Sequence, residues 1–590
     1  MKRKYWVAAA ITIAVIAVFF VPRELEKLRV TIPDYKTPPA HLAQLDQGWS
    51  QDLRTAFHHT AQGTRLTRYE WFLAVEQPCF SLFSACEKFA DARYLSRFGF
   101  LPSDKDPKLN PDGLPVGFAK QDDFYDPIRN ETYRVVGLTC AACHTGELHY
   151  NDTAVRIEGG PAMIAVSEFQ KALGLAMVFT KYFPGRYGRF EKTVLGENAS
   201  QADRDALKAK FEAALAAGQA ELKASGEANI VERSAGFART DALTRIGNQV
   251  FGVDMKNPRN LKSPNAAVRF PQIWDASWLN WVQYNSSISD PLVRNIGEAL
   301  GVRASAKLYG DDASKLANSV NVPKLWDMEV WLSGPAPYMG LRSPKWPAAF
   351  PALDPAKVAK GEQLYRQHCQ GCHLPPVPEL QSDLASSEPK YWWTNSQGKK
   401  FLKVTDVPID DVGTDPHEAV DFIERKADSG DLKQGELSAA DGLAFVTRGI
   451  AENFFTKMNF TPQQKIAWSG FRDPKDKPVR AERIYKARPL NGIWAVAPYL
   501  HNGSVPNLYE LLSPQSERSK KFWLGNKEYD PVKLGYVTTE LKGGYQYDVS
   551  NTGDSNSGHE FRDAPKGKGV IGPALSSDDR YAIIEFLKSL

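Results

Sequence analysis

Two pentapeptides of one pattern, Cys140-Ala141-Ala142-Cys143-His144 and Cys369-Gln370-Gly371-Cys372-His373, hold the residues best suited to chemistry in this chain. Two thiols three positions apart reach the two vinyl groups along one edge of a porphyrin, and the adjacent imidazole supplies an axial ligand to its iron. The pattern reads as covalent attachment of two c-type haems through Cys140, Cys143, Cys369 and Cys372. His144 and His373 are then the proximal iron ligands. A zinc site needs more Cys or His nearby than either motif has.

Haem c is attached outside the bacterial cytoplasm, so an export signal is expected. Lys2, Arg3 and Lys4 precede an uncharged apolar run from Tyr5 to Val21, which ends at Pro22-Arg23-Glu24. Residues 1–25 read as a signal peptide or an uncleaved signal anchor, because no small-x-small cleavage pattern precedes Pro22. The positive residues stay inside, which puts the rest of the chain in the periplasm with an inner-membrane tether. Cys79 and Cys86, seven positions apart, are expected to form a disulfide in that oxidising compartment. Two buried free thiols are the alternative.

Several elements must position these motifs. A chain of 590 residues suits two or three packed units. Residues 26–135, punctuated by Pro and Gly, read as a loop-rich N-terminal segment, and 136–334 as a first, catalytic haem domain. The prolines at 335, 337, 344, 347, 351 and 355 exclude a helix and mark 335–355 as a linker. Residues 356–590 form the second haem domain. There, Asp354-Pro355 caps a helix leading to Cys369, and an apolar stripe of Ile583, Ile584 and Leu587 marks a terminal helix. The Ala-, Lys- and Glu-rich stretch 200–225 reads as an amphipathic surface helix through Leu207, Phe211 and Leu215. The fold class expected is mainly α: two cytochrome c-like haem domains with extensive loops and an N-terminal anchor or signal helix. Formal net charge is +4 from 73 basic and 69 acidic residues without a basic block, which excludes nucleic acid as a partner.

Further stretches carry a resemblance. They are Asn110-Pro111-Asp112-Gly113-Leu114-Pro115-Val116-Gly117-Phe118, Gly137-Leu138-Thr139 with Thr145-Gly146, and Arg156-Ile157-Glu158-Gly159-Gly160-Pro161. Trp274-Asp275 through Trp281-Val282-Gln283-Tyr284-Asn285 and Arg294-Asn295-Ile296-Gly297-Glu298-Ala299-Leu300-Gly301 follow. The last are Leu490-Asn491-Gly492-Ile493-Trp494-Ala495, Pro498-Tyr499-Leu500-His501-Asn502-Gly503-Ser504 and Asn556-Ser557-Gly558-His559-Glu560-Phe561. Together the chain resembles the dihaem cytochrome c peroxidase superfamily, and more closely its long branch of rubber oxygenases and fatty-acid (oleate 10S) dioxygenases.

What fills each sixth iron position separates electron transfer from catalysis. His41, His58 and His59 are expected at the surface, His149 and His368 lie too near the proximal residues, and His417 sits in an acidic loop. His501 and His559 remain. The resemblance implies a late histidine capping the second haem, which His559 matches, whereas His501 matches a structural group; Met458 is the thioether alternative. For the first haem, Met163 and Met255 read as core, and the resemblance implies an open or dioxygen-bound iron. Trp274, Trp278 and Trp281 are expected to wall the distal pocket, bridge the haems or simply fill core. Glu298 is expected to move a proton or to pair with Arg294 four residues earlier.

The leading expectation is a dihaem oxygenase that inserts O2 into an unsaturated hydrophobic substrate, a fatty acid or polyisoprenoid, at the first haem. The alternatives are a peroxidase reducing H2O2 with electrons from a small donor cytochrome, and a plain electron-transfer cytochrome. Related peroxidases also hold calcium between the haems, so calcium is a possible cofactor.

Overall fold

Strands Phe118–Asp126 and Glu131–Leu138 pair in antiparallel register from Phe118 opposite Leu138 to Asp126 opposite Glu131, and Thr67–Arg68 adds a third strand beside Glu131–Leu138. The second strand alternates half-buried and exposed residues at its start, then runs fully buried from Val135 to Leu138 as it enters the interior. The computed structural model describes residues 30–590 except 82–83, 311–313 and 473–475. Residues 1–25, expected as a signal peptide or anchor, lie outside them. Among the described residues, no helix is long and apolar enough to cross a membrane.

The mainly α expectation is corrected. The described residues are 38% helix and 16% strand, and their strands form many small sheets of two or three members. Most of these strands are two to four residues long, for example Thr240 paired with Val268 and Tyr529 with Tyr536. A run that short shows too little alternation to be read along the chain.

Helices frame the second pentapeptide. Pro355–His368 is capped by Asp354, whose carboxylate accepts from the amides of Ala356 and Lys357, with Pro355 at its first position. The terminal helix Ser577–Ser589, capped by Ser576, buries Ile583, Ile584 and Leu587 against it. The backbones approach so closely that a Cβ on Gly361 would sit 1.9 Å from the carbonyl oxygen of Ala582. Gln201–Glu227 carries a capping box, Ser200 with Asp203, and buries Leu207 and Phe211.

Three large apolar cores and a small cluster of Ile409, Ala419 and Tyr485 lie among the described residues. One gathers Ile32 to Phe270, a second Leu243 to Val479, and a third joins Trp49 and Phe57 to Trp494 and Leu587. Residues 335–354 hold no helix, Pro355 opens the next one, and Tyr338, Leu341 and Phe350 of that stretch are buried.

Candidate haem site

The two pentapeptides reach their places by different routes. Cys140–Cys143 is a single helical turn between strand Glu131–Leu138 and strand Thr145–Tyr150, capped by Thr139, whose hydroxyl accepts from the amide of Ala141. The second pentapeptide follows helix Pro355–His368 directly, and Gln370–His373 forms its own turn. Cys140 packs against the third core and Cys143 against the first, so the first motif lies on the seam between them.

Both proximal imidazoles are oriented by a backbone carbonyl. Nδ1 of His144 donates to the oxygen of Pro271 at 2.8 Å, and Nδ1 of His373 to the oxygen of Arg488 at 2.9 Å. That bond selects the tautomer whose Nε2 lone pair is free for a metal, as outer partners of ligating histidines do. Burial holds His144 down at about 4, and burial likewise lowers His373. Both shifts favour the neutral imidazole, the form a ligand needs. Burial, then the carboxylate of Glu298, pushes the Cys140 thiol up to about 12.

The ring of His559 faces that of His373 with centroids 6.2 Å apart. Two imidazoles on one iron, with bonds of about 2 Å and ring centres about 1 Å beyond each nitrogen, require roughly 6 Å. His559 Nδ1 is buried without a hydrogen-bond partner, and burial lowers the ring to about 3. The donor set fits a six-coordinate haem. His559 is held from its backbone: its amide donates to Val412 O at 2.9 Å, and the Arg518 guanidinium donates to the carbonyls of Asn556, Gly558 and His559 at 2.6, 2.8 and 3.0 Å.

His501 is placed differently. Its ring stacks on Tyr485 at 4.2 Å and lies 6.2 Å from Tyr284. Met458 is 55% exposed at the end of helix Ala439–Lys457. The expectation that His58 and His59 lie at the surface is wrong: both are buried, His58 bonded to Glu158 at 2.8 Å and His59 to Phe118 O and Ser103. Helix Gln51–His59 packs on the first haem turn, which carries them inside.

Around His144, the nearest ring is Phe270, at 6.5 Å. Met163 and Met255 are core. Glu298 does not take Arg294 as its hydrogen-bonded partner; Arg294 binds Glu329, and Glu298 accepts from Gln283 at 3.3 Å. Burial raises the Glu298 carboxyl above its ordinary range, with Arg294 opposing. Trp274 is fully buried and donates to Asn491 O at 3.0 Å, whereas half-buried Trp281 lies under the Arg480 guanidinium at 3.9 Å. Cys79 and Cys86 are joined as a disulfide. Among the described residues no group of three or more His, Cys, Asp or Glu is arranged to hold a metal ion.

Gln62 escaped the sequence reading. Its amide donates to Cys140 Sγ at 3.0 Å and to Met328 Sδ at 2.8 Å, linking three segments far apart in the chain. Arg518 escaped it too, because a lone arginine 41 positions before His559 carries no local signal.

Residues 484–524, which include Arg488, His501 and Arg518, match the model of the RoxA-like, cytochrome c-like family. Over 620 aligned residues, covering 100% of both chains, the sequence is 43% identical to the uncharacterized protein y4iJ of Sinorhizobium fredii (strain NBRC 101917 / NGR234). The chain belongs to the y4iJ family. A second protein of that strain, the uncharacterized protein y4iM, is 26% identical over 334 residues, 54% of this chain and 63% of its own. The family match supports a RoxA-like cytochrome with covalently bound haem c, and points to a haem-dependent oxidoreductase.

Proposed function

We propose that this chain is a periplasmic, membrane-tethered dihaem oxygenase that adds O2 to an unsaturated hydrophobic substrate, a fatty acid or a polyisoprenoid, at the haem of Cys140, Cys143 and His144. The observation that carries the proposal is the asymmetry of the two motifs: His373 faces a second imidazole at 6.2 Å, whereas Phe270 is the ring nearest His144. An iron with one free axial position can bind O2, and one held by two imidazoles cannot.

The chain's own groups then have distinct tasks. Pro271 O and Arg488 O orient the two proximal rings. Gln62 fixes Cys140 Sγ by a hydrogen bond. Glu298, whose carboxyl burial keeps protonated to higher pH than an exposed one, can hold or release a proton near the first haem. Trp274 and Trp281 shape the surrounding wall, and His559 closes the second iron. His501, stacked on the Tyr485 ring, braces the fold.

The test is O2 uptake by holoprotein given oleate or polyisoprene, beside CO binding to the reduced form. Uptake with substrate and CO bound to one haem per chain is expected. No uptake with either substrate, together with turnover of H2O2 using a reduced small cytochrome, would replace this reading with the peroxidase one.

A further inference from the structure

Arg488 connects the two proximal histidines. Its carbonyl accepts from His373 Nδ1 at 2.9 Å. Its guanidinium reaches the other way: Nη1 donates to Gln272 O at 2.7 Å and Nη2 to Trp274 O at 2.6 Å. Gln272 directly follows Pro271, whose carbonyl holds His144 Nδ1 at 2.8 Å. From one imidazole to the other there are three hydrogen bonds, one arginine and one peptide unit. The frame is braced from the side, since Trp274 Nε1 donates to Asn491 O at 3.0 Å and Asn491 Nδ2 to Asp275 at 2.8 Å.

The geometry points to Arg488 as the positioning residue that ties both haem ligands into one framework and forms a bonded route for an electron between the two sites. This rests on the two-haem reading above. With both haems bound, one electron passed along this route would leave one site and reach the other, with no covalent bond broken and no proton required to move. A planar fork suits the task because it grips two carbonyls of one segment at once, which an ammonium cannot do in the same geometry. The guanidinium charge also lies along the bonded path between the two proximal imidazoles, and a cation there would favour the reduced state of a haem held by either.

Two variants of the holoprotein separate these roles, Arg488→Met and Arg488→Lys, each first assayed for haem content by pyridine haemochrome. In Arg488→Met, both midpoint potentials are expected to shift downward. The EPR signal of the His144 haem should broaden as Pro271 loosens, and one-electron exchange between the haems of half-reduced protein should slow at least tenfold. Arg488→Lys, which keeps the charge, should restore the potentials but not the exchange rate; it decides the matter if the Met form does not accumulate. Two haems per chain with unchanged EPR and exchange rate in the Lys variant overturn the bridge alone. One haem per wild-type chain overturns both the bridge and the two-haem reading.

Discussion

A side chain's role here follows from which of its atoms are already used. His559 has an imidazole with a buried, unpartnered Nδ1 and a second imidazole across 6.2 Å, an arrangement that costs free energy unless something binds between the rings. His559→Ala is expected to convert the second haem from low to high spin and let it bind CO, read by absorbance and EPR; an unchanged low-spin spectrum would remove His559 as ligand. His59 is the opposite case, with both ring nitrogens satisfied by protein. Burial lowers it from 6.5 to about 4. Between those values the unfolded chain binds the proton first, so the contribution is complete above pH 6.5 and is lost as pH falls toward 4, amounting to roughly 3 kcal/mol there at about 1.4 per unit. His59→Gln should flatten the fall of Tm across that window, followed by circular dichroism.

At the level of elements, the second haem motif depends on how closely two helices pack. Pro355–His368 ends where Cys369 begins, and Ser577–Ser589 lies against it through Gly361. Gly361→Ala would place a methyl 1.9 Å from Ala582 O and must push the helices apart. A cost of about 1–3 kcal/mol is expected from such overpacking, visible as a lower denaturation midpoint. Covalent haem at Cys369 and Cys372 should fall with it in peptide mass spectrometry, while haem at Cys140 and Cys143, delivered by strands, persists. Haem loss at both motifs in equal measure would show that the helix pair supports the whole chain rather than one site.

Across the whole molecule, buried ion pairs join segments distant in sequence. Arg239 and Asp554 are both fully buried and paired, and Arg233 donates to the same carboxylate at 2.9 Å. Arg239 also lies over the Tyr547 ring at 4.5 Å. Removing one member strands a buried charge, which typically costs about 3–5 kcal/mol. Asp554→Ala is therefore expected to lower urea stability by that order, with Asp554→Asn less affected because its amide keeps a hydrogen bond. Equal stability of Asp554→Ala and the parent would mean that the guanidinium is solvated after all.

Much of the site was legible along the chain and the rest was not, for a reason visible in particular residues. Local chemistry determined the haem-binding pattern, because Cys-x-x-Cys-His places both thiols and the imidazole within five residues. It also determined the helix caps at Asp354 and Ser576, since a cap acts on amides two or three positions away. The tertiary structure decided what spans long separations. It buried His58 and His59 through the packing of one helix on the first haem turn, and it paired short strands as distant as His41–Gln44 with Thr153–Arg156 and Thr405–Pro408 with Ile484–Ala487. It also set Gln62 beside Cys140 and carried Arg488 between His144 and His373. Hydrogen bonds across 78, 115 and 216 positions leave no periodicity in the chain, because their partners meet only when separate cores close on one another.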